Sequence, residues 1–255
     1  MGQYYYVISA FPPIGLGAKP EMTYEMARQM LKLNLTEPDW HQIVLFQRAT
    51  DIRNIRALWL QAPIDPRGNF QEKELEDALL VQECLPTFVV QFLDRYDNQE
   101  ERLRYFPSLM ASLYHETLPE LKGFLLSYYR LEREIRLSLT ALRAKVQGVD
   151  LARELQFEDP EDPFIAELLA RKDDNESVIP EEYEDLKRAF LENRTEPRKL
   201  YRSILQLRLS RIDDLEVGQT FSMDQVLGHL ARLFLVESWE RLDDEKGRLV
   251  LEKIC

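Results

Sequence analysis

Glycine is scarce, nine in 255 residues, and few of the nine stand beside Asn or Asp where a tight hairpin needs them. That shortage argues against a β-rich fold. Cysteine occurs twice, at Cys84 and Cys255, too far apart for a disulfide framework or a zinc knuckle, so both read as reduced thiols of an intracellular protein. The three histidines, His41, His115 and His229, are scattered and none stands in an HExxH or ExxH pattern. No apolar run approaches the roughly 18–20 residues of a membrane span. The opening MGQYYYVISAFPP lacks a basic leader segment and is broken by prolines, so it reads as folded protein. Nor does the sequence around Gly2 suit myristoylation. Positive charge is the minority: 33 Lys and Arg face 45 Asp and Glu, a net charge of −12, which repels phosphate backbones and anionic lipid. No nucleic-acid partner is expected.

Chemical motifs are equally thin. Gly15-Leu-Gly17-Ala-Lys19 lacks the spacing of a phosphate loop. Asp173, Asn175 and Ser177 alternate like calcium ligands without the turn glycine or the distal glutamate. Glu37 and His41 have helical ligand spacing but no second pair, so a capping acid beside a surface histidine is the simpler reading. An enzyme would have to assemble its site from such scattered groups, His41 and Glu37 with another carboxylate. We therefore expect no catalytic residues, no metal, no cofactor and no small-molecule substrate.

What the sequence has is helical periodicity. From Pro119 to Gln147, apolar side chains recur at Leu121, Phe124, Tyr128, Leu131, Ile135, Leu139, Leu142 and Val146, in steps of three and four. Pro119 suits a first turn and Gly148 a left-handed stop. This helix, 119–147, is expected to organise the rest, with Ile135 and Leu139 buried on its stripe. Capping signals at Thr23, Thr36, Asp162, Thr195 and Ser222 mark further helices, and Pro180 opens another. The helix from Thr36 continues or restarts near Thr50. A last short helix is expected over Leu249, Val250 and Ile254. The expected fold is all-α, with at most one short strand near Tyr4–Ile8, where aromatic and β-branched residues gather. Phe157–Pro163 holds two prolines among four acids and reads as a linker, dividing 1–156 from 157–255.

Two acid–Ile–Arg triplets, Asp51-Ile-Arg53 and Glu134-Ile-Arg136, echo each other. If the echo is structural, Asp51, Arg53, Glu134 and Arg136 tie neighbouring helices through partly buried ion pairs. The charged residues of the long helix have two readings: solvated pairs on its face, or a cluster of Arg133, Arg136, Arg143 and Lys145 that engages an acidic partner helix, with Arg133, Arg143 and Lys145 as the partner-binding candidates.

The stretches Tyr4–Ser9, Asp51–Arg56, Tyr129–Arg136 running on to Lys145, and Phe221 through Trp239 to Gly247 resemble a bacterial family encoded beside genes of the V/A-type ATPase. That family is similar to the C subunit of the V/A-type ATPase, the counterpart of the eukaryotic d subunit. Glu132 and Glu134 match the acids of the C-subunit pattern and Arg143 its arginine, but Leu137 stands where Asn is typical; at the earlier echo Asn54 does follow Asp51. The Arg-rich opening of typical C subunits is absent. The resemblance implies stacked helical bundles forming a funnel. It also implies a non-catalytic central-stalk component that couples the rotating shaft to the membrane rotor ring. Its partners would be the shaft subunits and the ring, and its place the cytoplasm, peripherally at the membrane through the complex. The alternative is a helical interaction adaptor unrelated to the ATPase.

Overall fold

The computed structural model describes residues 2–174, 177–216 and 220–242. Among these residues there are thirteen α-helices, two 3-10 turns and no strand, so the all-α expectation holds. The helix expected over Leu249–Ile254 lies outside the described residues, and the triplet Asp173, Asn175, Ser177 lies partly outside them. The chain forms two compact units, one from 1–40 with 191–255 and one from 41–190. The long helix and the 157–163 segment both fall in the second.

In the first unit, α1 (Gly2–Ser9) corrects the expected strand. Tyr4, Val7, Ile8 and Phe11 fall at i, i+3, i+4 and i+7. Val7 is fully buried, while Tyr5 and Tyr6 remain exposed. A strand would have placed alternate residues inward and would have needed a partner strand. Helix α2 (Tyr24–Asn34) starts at Thr23, whose hydroxyl accepts the Met26 N–H as its sequence predicts. Helices α12 (Pro197–Leu215) and α13 (Met223–Glu240) complete this unit, and α13 packs on α1, α2 and α12. Ser222 caps α13 by accepting the Gln225 N–H. The Glu237 carboxylate accepts the Tyr24 N–H at 2.6 Å, and Tyr24 meets Phe234 edge-on, so α2 is fastened to the last turns of α13.

The second unit is organised on α8 (Gly123–Gln147). Pro119 does not open this helix; it lies in a 3-10 turn over Leu118–Glu120 that ends α7 (Phe106–Thr117). Gly123 (φ 57°) turns the chain into α8, and Gly148 (φ 67°) ends it, donating its N–H to Ala144 and Lys145 carbonyls. Of the expected stripe, Leu121 to Leu142 are buried, Ile135 completely and Leu139 to 7% exposure; Val146 is 47% exposed on the last turn. The Tyr129 hydroxyl donates to the Leu45 carbonyl of α3 at 2.6 Å, and burial pushes its phenol pKa well up. Helix α3 (Glu37–Trp59) runs without interruption through Thr50.

Three polar residues of α3 hold the loop that follows it. Gln47, Asp51 and Asn54 stand at i, i+4 and i+7, all buried. Gln47 Nε2 donates to the Arg67 carbonyl, and Asn54 exchanges two 2.8 Å hydrogen bonds with the Asp65 backbone. Asp51 accepts the Asn69 N–H and side-chain amide, both at 2.6 Å. Gly68 lets the loop come this close: a Cβ there would lie 2.5 Å from Asp51 Oδ1. Burying these three side chains is tolerable because each makes at least one hydrogen bond to the loop.

Candidate functional site: a cleft beside the long helix

Arg133 and Arg136 stand one helical turn apart on α8, and the segment read as a linker folds onto them. Helices α4 (Glu72–Val81), α5 (Thr87–Arg95) and α6 (Gln99–Arg104) precede α7 in this unit. After α8, Asp150 caps α9 (Leu151–Glu154) by accepting the Ala152 N–H, and Leu151 and Leu155 are buried. The chain then turns twice, Glu158 N–H to Leu155 O and Asp162 N–H to Asp159 O. Asp162 Oδ1 caps α10 (Pro163–Ala170) by accepting the Phe164 and Ile165 N–H groups, with Pro163 in the first turn. The prolines therefore rigidify a packed turn. The segment read as a linker packs on α8, because two of its four acids, Glu158 and Asp162, pair with cationic partners on that helix.

Those partners are the two arginines. Arg133 Nη1 meets Asp162 Oδ2 at 3.0 Å and its Nη2 meets Glu158 Oε2 at 3.4 Å. Arg136 Nη2 reaches the other Glu158 oxygen at 2.6 Å. The Glu158 side chain is 7% exposed and that of Arg133 11%. Arg136 also lies over the Tyr114 ring, 5.2 Å from its centroid. Next to it on α8, Glu134 accepts a 2.5 Å hydrogen bond from the Tyr183 hydroxyl. Burial raises the Glu134 pKa, and the Tyr183 bond offsets only part of that.

Between α7, the 3-10 turn, α8 and residues 157–162 lies a cleft of about 450 Å³. Tyr114, Leu118 and Phe157 form its apolar walls, His115 stands at its side, and Arg133, Glu158, Asp159 and Asp162 supply its charges. Asp159 is exposed; its Oδ1 accepts the Glu161 N–H.

The residues singled out by sequence thus part company. Arg133 is not a surface residue available to a partner; its guanidinium is buried and engaged by two carboxylates. Arg143 is exposed, and exposed Lys145 donates to the Asp174 carbonyl. Arg136 makes an ion pair, whereas Asp51 holds the 65–69 loop and Glu134 meets a phenol. Arg53 is exposed and reaches Thr50 Oγ1 of its own helix. The two triplets do different work. Sequence reasoning placed Asp162 as a cap but missed its pairing, and that of Glu158, with the α8 arginines, and it missed the loop contacts of Gln47 and Asn54. For the α3 group a signal existed: three polar residues at helical spacing set among the apolar residues Ile43, Phe46, Ile52 and Ile55. Among the described residues, no three His, Cys, Asp or Glu side chains gather as metal ligands, and no helix is long and apolar enough to cross a membrane.

Across residues 1–255 the chain matches the family described as "Protein of unknown function (DUF2764)", and it belongs to that family. Similar proteins include one from Chlamydia muridarum (strain MoPn / Nigg), 25% identical over 97% of this chain and 96% of its own length. One from Chlamydia trachomatis serovar D is 24% identical with the same coverage. One from Chlamydia pneumoniae is 26% identical over 100% of this chain and 98% of its own. All three carry the name "Uncharacterized protein". No solved structure matches the chain.

Proposed function

We propose that this member of the DUF2764 family is a non-catalytic component of a V/A-type ATPase, similar to its C subunit, joining the rotating shaft to the membrane rotor ring. The observation that carries the reading is the all-helical build, the fold class that the sequence resemblance to C subunits implies. Transmitting torque requires a body that resists deformation, and close-packed helices with internally satisfied charges do so. On α8 the arginines clamp the following turn; on α3 three polar side chains clamp the loop. Arg143 and Lys145, exposed near the end of α8, are the basic side chains we assign to contact an acidic partner surface. In this reading the protein is cytoplasmic and is held at the membrane through its partners in the complex.

The test is capture of purified shaft subunits, and separately of detergent-solubilised rotor ring, on the immobilised full chain at low and physiological salt. Retention of either supports the proposal. Failure to retain either, with nucleotide hydrolysis by the isolated chain that tracks its point variants, overturns it.

A further inference from the structure

We infer that the cleft beside α8 is a docking site for a cationic side chain, Lys or Arg, presented by a protein partner. The inference rests on reading the chain as a protein-binding component, whichever assembly it serves. Three carboxylates, Glu158, Asp159 and Asp162, share the cleft with one guanidinium, Arg133. Their remaining capacity is uneven. Glu158 is occupied by Arg133 and Arg136. Asp162 has one oxygen on the α10 cap and the other on Arg133. Asp159 is exposed at the opening, bonded locally to the Glu161 N–H and to no cation among the described residues. A long cationic side chain fits this arrangement. Its aliphatic stem would lie against Tyr114, Leu118 and Phe157, and its charged end would meet Asp159 and the outer side of Asp162.

The walls are fixed before any ligand arrives. Phe157 is braced edge-on by Tyr105, Tyr114 edge-on by Tyr129, and Arg136 covers the Tyr114 face. Little ordering is then left to oppose binding. An anion suits the cleft poorly, because Arg133 is already engaged and the carboxylates would repel it.

The experiment titrates the full chain with a short blocked alanine-based peptide carrying lysines, its glutamine-substituted counterpart, and inorganic phosphate, following the protein's amide resonances. The lysine peptide is expected to bind with shifts centred on residues 112–119 and 157–162. Asp159→Asn, which keeps the oxygen that accepts the Glu161 N–H, should weaken it about two- to fivefold, the upper range of an exposed ion pair. Glu76→Gln, an equal charge change at an exposed site on α4, should not. Equal weakening by both variants would mean attraction to net charge alone and would overturn the inference, as would absence of binding, equal binding of the glutamine peptide, or phosphate binding in the cleft. A chain that captures shaft subunits yet fails here loses this inference and keeps the proposed function.

Discussion

His229 lies with its ring stacked on Phe11, centroids 3.8 Å apart and planes 6° from parallel. Burial, helped by the nearby Arg232 charge, lowers its pKa to about 4. Arg232 itself is held on Glu216 and Asp213; burial works against its charge, but its hydrogen bonds to and charge pairing with the two carboxylates together outweigh that cost and raise its pKa. In the unfolded chain His229 titrates near 6.5. Both states are therefore neutral there at pH 7.5, but below about pH 6.5 the unfolded state takes up a proton that the folded state refuses. Stability falls as pH drops through that window, on the order of 2 kcal/mol from this residue by pH 5. We expect the urea midpoint to fall between pH 7.5 and pH 5, and His229→Gln to flatten that fall. An unchanged slope in the variant would show that the imidazole is accessible to protons. At Gly68 the constraint is steric. A methyl there would meet the Asp51 carboxylate and, at 3.0 Å, the Asn54 amide, both fixed by their loop bonds. Gly68→Ala should cost about 1–3 kcal/mol in chemical denaturation, the usual range for overpacking; a change under about 0.5 kcal/mol, the surface scale, would mean the loop gives way freely.

Helix α8 was readable because two independent signals agreed on it: a stripe of apolar residues at helical spacing and a glycine stop. Its start was less legible, since Pro119 suits a 3-10 turn as well as an α-helix N-terminus. At α1 two readings of one composition competed. Tyr, Val and Ile favour strands in general, but helical spacing puts Tyr4, Val7 and Ile8 on one face, with Val7 fully buried and the other two partly. The 157–163 segment shows a different limit. Acids and prolines usually mean solvent, and the partners that reverse this, Arg133 and Arg136, lie more than twenty residues earlier. Long-range charge pairing leaves no periodicity, so the clamp and its cleft were out of reach of sequence pattern. Two predictions belong to this element. Ile135→Ala empties a fully buried position and should cost about 2–5 kcal/mol. Arg133→Ala leaves Glu158 and Asp162 facing the cleft without their common cation, and should cost about 3–5 kcal/mol, the scale for breaking a buried pair from one side. Denaturant titrations measure both, and a loss below about 1 kcal/mol at Arg133 would show that the clamp is water-filled and weak.

At the scale of the whole molecule, the net charge of −12 opposes the local ion pairs. Excess like charge destabilises a compact state through self-repulsion, which acts over several ångströms of solvent and is screened by salt. In the Arg133–Glu158–Arg136 group, Arg133 and Glu158 are largely shielded from solvent and Arg136 is partly so, and the group therefore responds less than exposed pairs. Exposed pairs such as Lys199 with Glu196, 65% and 54% exposed, are screened readily but contribute little to begin with. The balance favours salt. Raising sodium chloride from about 20 mM to about 300 mM shortens the Debye length from roughly 20 Å to roughly 6 Å. Thermal unfolding at pH 7.5 should therefore shift upward by a few degrees over this range. Arg133→Ala should be destabilised at both ends yet keep that upward shift, because the charge lost is inside and the repulsion is outside. A fall in the unfolding temperature with salt would reverse the account: exposed pairs, rather than the buried clamp and the packed helices, would then hold the protein together.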